Sequence, residues 1–155
     1  MRLFLPCLAV VVGFATADFV IYTFEDSNFT GEAYVGWKFF DGPPDCNNIC
    51  DSSNIPGTDD ASDGGVRCEG NDPAGGCAYP DSVVTELEVH VEGVMHWTIY
   101  EDKGFDMEAA DGSGSKGVCT PDTSDDYDCA SCGSRSVGRR VFSCKSNFTA
   151  KDFGL

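Results

Sequence analysis

The stretch FEDSNFTG, residues 24–31, recurs later in the chain as YEDKGFDM, residues 100–107. Both copies hold an aromatic residue, two acids, two turn-forming residues and a second aromatic at the same offset, and both follow a hydrophobic segment. This spacing predicts a sharp fold at each acidic turn, which would bring Phe24 against Phe29 and Tyr100 against Phe105. A ring contact of this kind contributes about 0.5–1.5 kcal/mol beyond the buried area. Gly31 supplies a position where a turn can adopt positive φ.

Several other segments have the composition of β-strands. Residues 86–92 alternate acid or imidazole with aliphatic side chains at period two, which is typical of a half-buried strand. Residues 19–24, 94–100 and, less regularly, 137–142 are rich in β-branched and aromatic residues. No segment carries a sustained apolar stripe of helical period, so we expect an all-β chain with almost no helix.

Two long segments lack strand character. Residues 41–80 and 111–133 are rich in Gly, Pro, Asp and Asn, and they carry most of the cysteines. Without cross-links such segments would be disordered. We expect disulfides to turn them into compact loops, each bridge contributing about 2–4 kcal/mol.

The N-terminus has the features of a signal peptide. Arg2 precedes a short apolar run, and Ala15-Thr16-Ala17 matches the small-x-small cleavage pattern. We therefore expect residues 1–17 to be removed and residues 18–155 to form one secreted, extracellular domain. No segment approaches the roughly 20 apolar residues that a spanning helix needs, so no membrane insertion is expected.

The cysteine count indicates a disulfide framework. Removal of Cys7 leaves eight cysteines, an even number that in an exported chain favours bridges over thiols or metal ligands. If each half of the chain closes on itself, three pairings remain open in each half. The CASC spacing of residues 129–132 resembles a redox pair or zinc knuckle, but no further ligand cluster accompanies it. The first half contains Cys46, Cys50, Cys68 and Cys77, and the second contains Cys119, Cys129, Cys132 and Cys144.

The charge restricts the partners. The formal net charge is −16, and loss of Arg2 makes the mature chain one unit more negative. Such a surface repels nucleic acid and anionic lipid, so we expect cations, basic proteins or neutral glycans as partners. Two sequons, beginning at Asn28 and Asn147, are sites where an exported eukaryotic chain can carry N-glycans.

The repeated stretch resembles the βγ-crystallin Greek-key signature: an aromatic residue, four residues, a second aromatic, any residue and Gly, following a strand. In that signature a later strand carries a Ser that hydrogen-bonds the folded hairpin. Ser136 has this place in the second repeat, and Thr85 or Glu86 is its nearest counterpart in the first. Met107 departs from the pattern, because it stands where the second motif has Gly.

The resemblance implies a Greek-key β-sandwich of two four-stranded sheets. The first motif would cover residues 18–92, with a Cys-rich insertion at 41–80, and the second would cover residues 93–150. Small members of this fold class from microbes are similar to killer toxins, antifungal proteins and protease inhibitors.

The same resemblance bears on Ca²⁺, which many members of the superfamily bind through an acid-acid-x-x-Ser/Thr-Ser loop paired with the other motif's hairpin. Residues 81–86 keep the first acid and the hydroxyl, whereas residues 131–136 lack both acids and place Arg135 where a dication would be repelled. The similarity implies at most one site, built from Asp81, Thr85 and the hairpin of Glu101, and an empty, degenerate site is favoured. The acidic run 125–128 also offers hard oxygens, although its spacing fits no EF-hand.

Other candidate residues give no catalytic pattern. His90 and His96 could face each other across a hairpin through Gly93, or lie on the solvent face. No Gly-x-Ser-x-Gly elbow is present, and no spacing among the acids selects a glycosidase pair. The aromatic cluster WKFF, residues 37–40, is expected in the core.

Together these features predict a secreted, monomeric, non-enzymatic protein that binds an extracellular protein or glycan. A host-directed fungal effector, a toxin-like protein or an inhibitor would fit this description, although the acidic surface counts against a membrane-disrupting toxin. Two alternatives remain open: a Ca²⁺-binding structural or stress protein of the βγ-crystallin type, and a secreted hydrolase.

Overall fold

The computed structural model describes residues 17–50, 52, 54–71, 76–130 and 133–153. Apart from Ala17, the predicted signal peptide lies outside these residues, as do Cys7 and Cys132. The described chain is all-β, as expected, with two short 3₁₀ helices at Glu101–Lys103 and Ala150–Phe153. The strands are β1 (Ala17–Ser27), β2 (Ala33–Phe40), β3 (Ile55–Pro56), β4 (Gly65–Asn71), β5 (Val83–Val91), β6 (Met95–Tyr100), β7 (Asp106–Ala109), β8 (Ser115–Pro121), β9 (Asp126–Cys129) and β10 (Arg135–Ser146).

These strands belong to one antiparallel sheet that is nearly closed. The order is β3-β2-β1-β10-β8-β7-β6-β5-β4, and β9 pairs with the first part of β10 while β8 pairs with its second part. The two ends of the sheet approach each other where Gly57, just after β3, forms a bridge with Val66 in β4. Near-closure leaves few open strand edges, which limits edge-to-edge association.

The main core lies inside this sheet. It contains both tryptophans together with aromatic and aliphatic residues from β1, β2, β5, β6, β7 and β10. Trp37 and Phe39 are almost fully buried, which confirms the prediction that the aromatic cluster of β2 belongs to the core. Met107, which departs from the glycine of the repeated stretch, is also fully buried in this core.

A second, smaller core covers the other face of β1. It contains Val20, Tyr22, Phe24, Phe40, Ile49, Tyr127 and Cys129. Because Phe19 and Ile21 pack into the main core, β1 is buried on both faces. The segment around Ile49 and strand β9 provide the outer cover.

The prediction that residues 41–80 and 111–133 lack strands is wrong. They contain β3, β4, β8 and β9, which pair with strands of more typical composition. In β8, Cys119 lies directly opposite Cys144 of β10 and is disulfide-bonded to it. Strand pairing in these segments therefore follows from partner strands and cross-links, which local propensity does not report.

The described disulfides are Cys46–Cys129, Cys68–Cys77 and Cys119–Cys144, and Cys50 is also disulfide-bonded. Cys46–Cys129 joins the two halves of the chain, so the halves do not close separately. Cys129 belongs to the second core, and this bridge therefore ties the segment before Ile49 to β9. Such cross-linking is compatible with an extracellular protein.

The prediction that the paired rings meet is wrong. Phe24 is buried at 2% exposure, whereas Phe29 is 93% exposed. In the second copy, Phe105 turns inward at φ +60° and its ring lies 5.3 Å from that of Phe142. Tyr100 instead holds the Lys103 ammonium 4.4 Å from its ring centroid. The two similar stretches thus form different turns.

No helix among the described residues has the length and apolar character needed to span a bilayer.

We expect loss of the Cys46–Cys129 bridge to cost more stability than loss of Cys68–Cys77, because it closes a much longer loop. The sequence separations are 83 and 9 residues. In the chain-entropy description these loops correspond to about 4.5 and about 2.7 kcal/mol. Urea unfolding of the C46A/C129A and C68A/C77A variants measures the difference, and equal losses would contradict this order.

Candidate functional site

The β1–β2 hairpin ends in a turn, residues 28–34, which we call the hairpin tip. Its organiser is Asn28, whose Oδ1 accepts hydrogen bonds from Thr30 N at 3.0 Å, Thr30 Oγ1 at 2.7 Å and Glu32 N at 3.0 Å. The Asn28 Nδ2 donates to Glu32 Oε2 at 2.9 Å. Gly31 adopts φ +86°, the left-handed conformation that its position suggested. The tip is therefore a defined loop held by side-chain to backbone hydrogen bonds.

Two aromatic side chains project from the tip. Phe29 is 93% exposed and Tyr34 is 62% exposed. The Asn28 side chain, which precedes Phe29, binds the backbone N–H groups of Thr30 and Glu32, which follow it, and the Phe29 ring is left exposed in the turn between them. At this exposure the Phe29 ring contributes little to the packing of the domain and is accessible to a partner.

The second core supports the hairpin below the tip. Phe24 lies against Gly36, where an added Cβ would come within 3.0 Å of the Phe24 ring and 2.7 Å of Ile55 O. Tyr127 covers Gly138 so closely that a Cβ there would be 2.1 Å from its ring. Both glycines are needed because a neighbouring ring lies flat on the strand.

Lys38 connects the hairpin to this core. Lys38 as a whole is 2% exposed. Its Nζ lies 4.5 Å from the Phe24 ring centroid, 3.5 Å from Asp26 Oδ2 and 3.5 Å from Ser136 Oγ. Burial lowers the pKa of the Lys38 ammonium, and the negative charge of Asp26 opposes this effect. Ser136 is 3% exposed; its hydroxyl accepts from the Lys38 ammonium and donates to Tyr127 Oη at 3.4 Å.

The acidic run before and within β9 is paired with arginines of β10. Asp125 contacts Arg140, Asp126 lies 3.5 Å from Arg139, and Asp128 receives two hydrogen bonds from Arg135 at 2.9 and 2.6 Å. The Arg135 guanidinium lowers the pKa of Asp128. These carboxylates therefore stabilise the pairing of β9 with β10. The sequence feature that indicates this role is a run of three acids followed, across a turn, by three arginines.

Arg140 is the most buried of the three arginines. Its Nε donates to Tyr22 Oη at 3.1 Å, and its Nη1 donates to Asp122 Oδ2 at 2.9 Å. Tyr22 in turn donates to Asp125 Oδ2 at 3.0 Å. Burial raises the pKa of Tyr22 to about 12, so this hydroxyl remains a donor at neutral pH.

The residues of the predicted Ca²⁺ site have separate partners. The Asp81 carboxylate is paired with Arg139, and the Thr85 hydroxyl donates to Glu69 O at 3.2 Å. Glu101 is exposed at the start of its 3₁₀ helix. Within the described ranges, no group of three or more His, Cys, Asp or Glu side chains could hold a metal ion. The calcium site stays a prediction from the resemblance.

The two histidines face each other across the β5–β6 hairpin, as one of the two alternatives predicted. Their rings stack at 4.4 Å with an interplanar angle of 8°. His90 Nδ1 lies 2.7 Å from Ala61 O, and His96 Nε2 lies 2.7 Å from Glu88 Oε1. Glu88 is also held by Arg67 at 2.8 Å. Each imidazole thus has a structural partner.

Sequence reasoning missed the two features that matter most here. It placed Asn28 in the turn of the hairpin, but it did not identify the Asn28 side chain as the group that organises this turn, although Asn followed by Gly three residues later is typical of turns. It also missed Lys38 with Asp26, because a lysine between aromatic residues gave no sign that it would be buried. Asn147, the second sequon, is exposed.

No protein-family model, curated protein or solved structure matches the chain.

We expect Asp122 to make the domain sensitive to acid. Its carboxylate accepts from Ser124 Oγ at 2.6 Å, Ser143 Oγ at 2.6 Å, Ser124 N at 3.0 Å and Arg140, and these bonds hold its pKa well below the ordinary range. A depressed folded-state pKa stabilises the fold above the ordinary carboxyl value near 3.9, and this contribution is lost as pH falls through the folded value.

The Asp122→Asn variant should therefore be less stable than wild type at pH 7. The difference between the two should narrow progressively below about pH 4. Denaturant midpoints from pH 7 to pH 2 measure this, with the exposed Asp102→Asn as the matched control. A difference between wild type and Asp122→Asn that stays constant over the whole range would show that Asp122 has no such role.

Proposed function

We propose that this protein is a secreted, non-enzymatic binding protein that engages an extracellular protein partner through the hairpin tip. The observation that carries the proposal is the 93% exposure of Phe29 on a turn of defined structure. Disulfides, which are compatible with an extracellular protein, support secretion as the setting of this function.

An exposed phenylalanine has a clear energetic use in binding. Burial of such a side chain against a partner contributes about 1.5–3 kcal/mol. Aromatic side chains that fill a pocket of the partner are typical centres of binding energy in protein interfaces. Tyr34, 62% exposed on the same hairpin, can add contact area and a hydroxyl for hydrogen bonding.

The tip is also preorganised. The hydrogen bonds of Asn28 hold the backbone of residues 28–32 in one conformation, and the second core supports the strands beneath. Binding to a preformed loop avoids much of the entropy cost of ordering it, so more of the contact energy contributes to affinity.

The charge of the protein selects the type of partner. The chain is strongly acidic, and Glu32 is exposed within the tip. An apolar pocket bordered by Lys or Arg side chains would complement Phe29 and Glu32 together. Long-range attraction would raise the association rate of a basic partner, and salt would reduce it.

The glycan acceptor Asn28 lies next to Phe29, and a glycan at this position would cover the tip. Its Nδ2 already donates to Glu32. Under the proposal, a glycan at Asn147 is compatible with partner binding, whereas a glycan at Asn28 is not. Partner binding should therefore be measured before and after removal of the N-glycans.

The family assignment forms a separate part of the proposal. The positive φ of Gly31 and the burial of Ser136 beside the first hairpin support a relation to βγ-crystallins. The separation of the paired rings counts against it, and the division into two four-stranded sheets stays a prediction. No specific observation favours the calcium-binding or hydrolase alternatives.

We expect a photo-reactive phenylalanine analogue at position 29 to cross-link a discrete protein in extracellular fluid from the native source. The control carries the same analogue at Val94, which is 52% exposed on the β5–β6 hairpin. Unlabelled wild type should compete, whereas the Phe29→Ser variant should compete about 10- to 100-fold less well because the buried ring is lost.

The Phe29→Ser variant should keep the melting temperature of wild type, because an exposed ring contributes little to folding. Equal cross-linking from positions 29 and 94, or full competition by Phe29→Ser, would exclude the hairpin tip as the binding element.

A further inference from the structure

A buried amine and a carboxylate lie side by side on neighbouring strands below the hairpin tip. In the β1–β2 pairing, Lys38 stands opposite Tyr22, Gly36 opposite Phe24, and Tyr34 opposite Asp26. Because Gly36 has no side chain, the Lys38 stem extends along the face of the Phe24 ring. Its Nζ thereby reaches Asp26, four residue pairs further along the hairpin, at 3.5 Å.

As a simple ion pair, Lys38 and Asp26 do not fully offset the cost of burying their charges. The Lys38 side chain is 3% exposed and that of Asp26 is 20% exposed. The ammonium has three protons, and its partners are Asp26 Oδ2, Ser136 Oγ and a ring face. Asp26 Oδ1 is buried without a hydrogen-bond partner. Buried charges that are incompletely paired are costly, and a neutral product would remove the cost.

We propose that Lys38 and Asp26 condense to an intramolecular amide that covalently joins β1 to β2. A proton first moves from the Lys38 ammonium to the Asp26 carboxylate, giving a neutral amine and a neutral acid. The amine lone pair attacks Cγ of Asp26 and forms the new N–C bond. The Cγ–Oδ2 bond then breaks, and Oδ2 leaves as water after taking a second proton from the nitrogen. Charge balances, and neither an oxidant nor a cofactor is consumed.

The surroundings suit each part of this reaction. Burial favours the neutral form of the amine, since it lowers the pKa of Lys38. The Phe24 ring and the second core hold the amine next to the acid. Because the two reacting groups are already in place, the entropy cost of bringing them together is avoided. The Ser136 and Tyr127 hydroxyls form a hydrogen-bonded pair beside the amine and can relay a proton. The partial exposure of Asp26 gives the released water a way out.

The product also fits the space. The amide N–H can donate to Ser136 Oγ, which already lies 3.5 Å from the nitrogen. Oδ1 remains as a neutral carbonyl oxygen, which costs less to bury than a carboxylate oxygen. The new bond would brace the strands that carry the hairpin tip, independently of whether the tip binds a partner.

The decisive measurement is the intact mass of the purified protein after denaturation, disulfide reduction and removal of N-glycans. We expect wild type to be lighter than its mature sequence by one water molecule. The Asp26→Asn variant should be lighter by one ammonia molecule, since its leaving group is different. Lys38→Met, which keeps an unbranched side chain over Phe24, and Asp26→Ala should have the full mass.

Proteolysis locates the bond. Cleavage after Glu25 and Glu32 places Asp26 and Lys38 in different peptides. We expect one branched species that contains both peptides, and resistance to trypsin after Lys38. If wild type has the full mass of its mature sequence and yields Asp26 and Lys38 in two separate peptides, the proposal is overturned. Loss of water that persists in Lys38→Met would also overturn it, because a succinimide confined to Asp26 and Ser27 would then be the cause.

Discussion

The fold depends on the burial of β1 on both of its faces. Phe19 and Ile21 contact the main core, whereas Tyr22 and Phe24 contact the second core under β9 and the segment around Ile49. If one face of β1 were exposed to solvent, the nearly closed sheet alone would be enough to bury the other face. Because β1 has no such face, the acidic, glycine-rich segments must fold back over it, and the bridge from Cys46 to Cys129 fixes that cover in place. The disulfides therefore complete a core that the sheet leaves open.

This arrangement explains which parts of the fold could be predicted from the sequence. The regular strands were evident because alternation and β-branched residues report burial directly, and the aromatic residues of β2 were correctly placed in the core. The strands β4, β8 and β9 were not evident, since their pairing comes from neighbouring strands and disulfides. The pairing of cysteines within each half of the chain failed for a related reason. Cysteine spacing does not report that a segment of the first half packs against a strand of the second half and is bonded to it.

The repeated stretch shows the limit of pattern matching for the candidate site. Its two copies share residue types but differ in the group that directs the second aromatic ring. In the first copy the Asn28 side chain binds the backbone of Thr30 and Glu32, just after Phe29, and the ring faces outward. In the second copy Phe142 offers a contact, and Phe105 accepts a left-handed backbone to reach it. A local sequence fixes the position of a turn, but the direction of a ring depends on the partners available in three dimensions.

Three arginines of the domain are concentrated on a single strand. Arg135, Arg139 and Arg140 all lie on β10, where they pair with acids of β9 and the loops around it. The positive charge of these arginines is thus paired with carboxylates, and the chain as a whole keeps a strong net negative charge. The hairpin tip combines that acidic surface with an exposed ring and a rigid base. A partner that recognises this combination needs no pocket or catalytic group in the protein, only an apolar socket with a basic border of its own.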